Sequence, residues 1–192
     1  MTQTEVIRKV LDALDHSSSL RRTNVRDILL AQFGPDIIPV CMEKFADTPA
    51  EYRADLVRFV LRYAQTDPRA VGFAILALND RSRMVRHNAC AVLAYSLNPA
   101  VLEALNPLLN HADESTRDDA ARAIAAIKAG NHNKFYPGHS GWGIFPDDPD
   151  QPRSDSVEHY ITAIAPELVA PLTAILGDLT RKWSPPGARN PS

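Results

Sequence analysis

The chain has 192 residues, 45% of them hydrophobic and 23% charged, with a formal net charge of −2; this suits one domain with a core of several helical pairs and excludes the composition of a disordered chain. Acids and bases balance along it, with nine of each in residues 1–66 and seven of each in residues 67–130, so no basic domain stands out and nucleic acid is an unlikely partner. Two isolated cysteines without a CxxC or zinc spacing, no apolar leader and no bilayer-length apolar run point to a reduced, cytoplasmic chain with no membrane partner.

In chain order, four turn-to-helix junctions recur at intervals of 31 to 33 residues, each placing an arginine at the same point of an amphipathic helix: Arg22, Arg53, Arg86 and Arg117. The first repeat, about residues 4–33, reads as a helix over 4–14. Ser18 then stands four residues ahead of Arg22, with Val25 and Leu29 in the apolar slots. The second, 35–66, opens with a helix over 36–46 carrying Ile37, Val40 and Cys41. Its junction is Thr48-Pro49 ahead of Arg53, a capping hydroxyl followed by proline at the first helical position. The third, 67–97, has a helix over 68–78 and then Ser82 four residues ahead of Arg86. The fourth, 98–129, has a helix over 99–110 with the stripe Val101, Leu105 and Leu108, then Asp113 four residues ahead of Arg117. Ser82 and Asp113 are placed to accept the orphan N–H groups of the helices they precede. Ala89 and Ala120 are the small residues three positions past the arginine. Cys41 and Cys90 fall among apolar neighbours inside predicted helices, where a free cysteine behaves as a small buried hydrophobe.

Residues 130–153 break the pattern, with four of the eight glycines and four of the fifteen prolines. A structureless loop this long is uncommon inside a compact domain and often functional. Its aromatics Phe135, Tyr136, Trp142 and Phe145 argue against a plain disordered linker. A final helical pattern over 155–183, which Pro166 and Pro171 should kink or split, caps the stack. The tail 184–192 should be extended or loose.

From about Asp80 to Ala129 the chain resembles HEAT repeats, especially the short bacterial type also called phycobilisome-lyase HEAT-like repeats. The resembling features are the capping residue, the Val85-Arg86 and Thr116-Arg117 steps, and the small residue three positions on. A period of 31 residues lies below that of classical HEAT units and fits the compact subgroup. The resemblance implies an all-α, right-handed alpha-alpha superhelix of about four helix pairs plus a C-terminal capping helix. It also implies that the repeated arginines join neighbouring repeats through turn carbonyls or an acidic partner.

No catalytic, cofactor or metal site emerges. His132, His139, Asp147, Asp148 and Asp150 have ligand chemistry but no recognisable metal spacing. No GxSxG or His-Glu step occurs, and Trp142 and Trp183 lie outside the repeat helices; a related solenoid that grips damaged DNA needs tryptophans on a basic face. The remaining candidates are partner-binding residues: Arg26, Arg58 and Arg62, which look solvent-facing, and His132, Phe135, Tyr136, His139 and Trp142 of the long loop. Arg58 and Arg62 stand one helical turn apart and read as a small basic patch. The loop aromatics either anchor a partner or fold back to seal a groove. The leading expectation is a non-catalytic protein-binding module, an adaptor or an inhibitor of immunity-protein type. An enzyme or cofactor-handling protein akin to the bilin lyases is the alternative. A nucleic-acid binder with Arg26, Arg58, Arg62 and Arg83 along one groove is the third reading.

Overall fold

The computed structural model of the protein describes residues 1–15, 29–136, 157–177 and 179. These are all-helical, with no strand among the described residues, and the chain divides into two compact units, Met1–Ile37 with Phe145–Ser192 and Ile38–Ile144.

The first unit is built on α1 (Gln3–Asp15). Val6, Ile7, Val10, Leu11 and Leu14 recur at helical spacing and are fully buried. Leu29 and Leu30 lead into a short 3-10 segment, Leu30–Asp36, in which Gly34 takes a positive φ of 61° that a side chain would disfavour. Gln3 Nε2 donates to Asp36 Oδ2 at 2.9 Å and ties the segment back to α1. The C-terminal helical pattern also belongs here. It is split into α8 (Val157–Ile164), a 3-10 turn Pro166–Leu168 and α9 (Val169–Leu176). Pro166 makes the break. Pro171 does not kink the helix, because it sits in the first turn of α9, where its missing N–H has no intrahelical acceptor to lose. Ile161, Leu168 and Leu172 are buried, and α9 packs on α1.

The second unit is the repeat stack. Its helices are α2 (Ile37–Phe45), α3 (Ala50–Phe59), α4 (Pro68–Ala77), α5 (Arg83–Ser96), α6 (Leu102–Leu105) and α7 (Glu114–Lys128). In chain order α2, α4 and α6 alternate with α3, α5 and α7, and α5 packs between α3 and α7 while also resting on α4. Covered on three sides, α5 needs small residues, and Ala89, Cys90, Ala91 and Ala94 are buried along it. Larger groups fill other spaces: Phe45 of α2 meets Phe73 of α4 edge-on at 5.2 Å, and Tyr52 meets Phe59 within α3 at 6.4 Å. Asn88 Nδ2 donates to the Ala54 carbonyl at 2.7 Å, a buried bond joining α5 to α3.

Several expected boundaries shift, each for a local reason. Pro49 is the N-cap of α3 rather than its first helical residue, and the Thr48 hydroxyl bonds back to the Phe45 carbonyl. The helix expected to run through residue 62 ends at Phe59, and a 3-10 turn Leu61–Tyr63 follows. The helix expected over 99–110 is 3-10 at Pro99–Val101, α-helical for one turn in α6, and 3-10 again at Asn106–Asn110. Pro107 has no N–H to continue the ladder there. Ser82 and Asp113 stand at the N-caps of α5 and α7, but neither side chain makes the capping bond; both turns are held by the arginine network described below. Asp67 and Asn98 do cap, accepting from Arg69 N and Ala100 N, each with proline at the next position.

Candidate functional site

Two polar systems cross the repeat stack. The first runs through the repeated arginines. Arg53 donates through Nε and Nη2 to both Asp80 carboxylate oxygens, at 2.7 and 3.0 Å, and through Nη1 to the Thr48 carbonyl at 2.8 Å. Its guanidinium also lies over the Phe45 ring. Arg86 repeats the scheme one unit on. Nη1 reaches the Asp80 and Arg81 carbonyls, Nε donates to Thr116 Oγ1 and Nη2 to Asp113 Oδ2. Arg117 binds its own turn through the His111 and Ala112 carbonyls. Each arginine thus satisfies carbonyls five or six residues behind it, and the first two also hold a side chain of the next turn. Burial is the largest influence on Asp80 and opposes its ionisation, but Arg53, the Ser82 N–H and the Arg81 charge together outweigh it and hold the carboxyl below the usual range. Asp113 is likewise held low, first by the Thr116 hydroxyl.

The second system lies on α5, α7 and the short 3-10 segment His132–Phe135. Asp119 is almost fully buried. Its Oδ2 lies 2.9 Å from His87 Nδ1 and its Oδ1 accepts from Arg122 Nη2. Burial is the largest influence on this carboxyl and disfavours its charge, yet His87 and Arg122 together reverse that and lower its pKa. The carboxylate can only accept, so Nδ1 carries the proton and Nε2 faces the Tyr136 hydroxyl 3.4 Å away. Phe135, 2% exposed, packs under the imidazole with ring centroids 5.6 Å apart and receives the Arg122 guanidinium on its face. Asp119 fixes the orientation of His87.

Around this core the structure brings several predicted residues together. Arg58 from α3 reaches Tyr136, where it opposes the upward push of burial on the phenol. Arg62 acts in the same sense on Tyr95. His132 meets Tyr95 edge-on at 4.9 Å, and Gln65 Nε2 donates to the Tyr95 carbonyl. Arg58, Arg62, His132, Phe135 and Tyr136 therefore share one side of the second unit. Arg58 and Arg62 are half-buried rather than solvent-facing, and they are not successive turns of one α-helix, because α3 stops between them. Ala89 and Ala120 are fully buried. Arg22, Arg26, His139, Trp142, Asp147, Asp148 and Asp150 lie outside the described residues. Periodicity and motif spacing did not single out His87, Asn88, Asp119, Arg122 or Tyr95. One signal was present: the position two past the repeated arginine is Asp55, Asn88 and Asp119 in the last three units, polar each time.

Alternating helix pairs in register, joined by arginines that bridge successive turns, define a helical-repeat solenoid. Residues 72–134 match the family model for HEAT repeats. No curated protein sequence matches the chain. HEAT repeats are generally protein-interaction modules. No described helix is long and apolar enough to cross a membrane.

Proposed function

We propose that the protein is a non-catalytic binding module for another protein, and that Arg58, Arg62, Tyr95, His132 and Tyr136 form its contact face. The observation that carries this reading is the convergence of arginine, tyrosine and histidine from the second repeat, the third repeat and the segment that follows the fourth. Such side chains supply contact area and directional hydrogen bonds, the composition of interface hot spots. The buried Phe135 and Asp119 and the part-buried His87 beneath them hold that face in place, so little ordering is required on binding. The finer reading is an adaptor or a stoichiometric inhibitor of immunity-protein type. Half-buried arginines on an aromatic bed favour a partner that presents carboxylates.

The test is capture of a partner from the native lysate by the wild type, by Arg58→Ala/Arg62→Ala, and by Tyr136→Phe, each variant first matched to wild type by circular dichroism. A stoichiometric protein held by wild type and lost by the double arginine variant supports the reading. Capture that survives both variants unchanged moves the contact elsewhere.

A further inference from the structure

The outer face of α7 differs from the same face of its predecessor. In α5, Cys90 and Ala94 are buried beneath α7. Their counterparts 31 residues on, Ala121 and Ala125, are exposed. They share a line with Glu114, Asp118 and Lys128, also exposed, at successive spacings of four, three, four and three residues, which keeps all five on one side of a helix. The charges along this line are ordered. The two acids lie in the first turns, the lysine closes the last turn, and none of the three has an ion-pair partner among the described residues. Glu114 and Lys128 each stand seven residues, two helical turns, from Ala121.

That arrangement is self-complementary under a two-fold axis. When two such helices lie antiparallel with Ala121 at the axis, Glu114 of each copy faces Lys128 of the other, and the alanines let the backbones approach closely. The opposed helix dipoles add to the attraction. A parallel arrangement would set acid against acid. We infer that the outer face of α7 is a homodimer interface, in which a second copy of this chain packs its own α7 antiparallel across Ala121 and Ala125, with two reciprocal Glu114–Lys128 ion pairs. This surface is separate from the arginine–tyrosine face and does not depend on its role.

Sedimentation equilibrium on the full chain from about 10 μM to about 1 mM, at low and high salt, tests it. The wild type should dimerise, more weakly in high salt. Glu114→Lys and Lys128→Glu, both at exposed positions, should each weaken self-association by at least about tenfold, because each turns two attractions into two repulsions. Mixed in equal amounts, these two variants should form a heterodimer, since every facing pair is then opposite in sign. Ala121→Trp should abolish association. Matching thermal melts establish that the variants are folded. A wild type that stays monomeric to the top concentration overturns the proposal. So does a dimer indifferent to Ala121→Trp, or single-site variants that fail to recover association on mixing.

Discussion

At the scale of single residues, the stack depends on a few ionised groups taken out of water with their partners in place. Arg53 and Asp80 have side chains 8% and 7% exposed, so screening by solvent is small. Arg53→Ala should cost about 3–5 kcal/mol, the range for leaving a buried charge unmatched, and chemical denaturation will read it. Arg53→Lys should recover little, since an ammonium cannot hold both Asp80 oxygens and the Thr48 carbonyl together. Asp119 adds a pH dependence. Its folded pKa lies below the ordinary value, so its contribution is complete above the unfolded pKa and is lost as pH falls through the folded one. Wild-type stability should therefore decline as pH drops below about 4. Asp119→Asn, less stable at neutral pH, should fall less over the same interval, so the two curves converge in acid. Parallel curves would assign the acid loss to other carboxylates.

At the scale of elements, local backbone rules set where each helix starts and stops, and one position breaks them. Leu97 ends α5 with φ 52° and ψ 20°, a left-handed conformation that costs a residue with a Cβ about 1 kcal/mol. Leu97→Gly should raise the unfolding free energy by about 0.5–1 kcal/mol despite the greater freedom of glycine in the unfolded chain. A lower melting temperature for that variant would mean that the Leu97 side chain contributes more than the strain removes. Most elements were legible in the amino-acid sequence: proline after Asp67 and Asn98 marked real starts, and the apolar stripes placed α2, α4 and α5. Where the local signal misled at Asp113, a competing partner came from the preceding repeat. Asp113 accepts from the Thr116 hydroxyl of its own helix and from Arg86 of the preceding repeat.

At the scale of the molecule, the two thiols report on the repeat unit as a whole. Cys41 and Cys90 are fully buried, and burial raises both pKa values, that of Cys90 to about 12. Neither should react with a disulfide reagent faster than the unit opens, so both should label with one rate constant that rises together in denaturant. Rapid labelling of one thiol in the native state would show that the unit opens in parts. Among the described residues, the recurring turn-to-helix junctions at Arg53, Arg86 and Arg117 followed from sequence alone, because local periodicity and turn chemistry act over a few residues. Whether Arg58, Arg62, His132 and Tyr136 met, and that Asp119 would be buried between His87 and Arg122, was decided by tertiary structure. Those residues lie up to 78 positions apart. A polar residue inside an amphipathic helix looks the same whether it faces water or a partner until the neighbouring helix is in place.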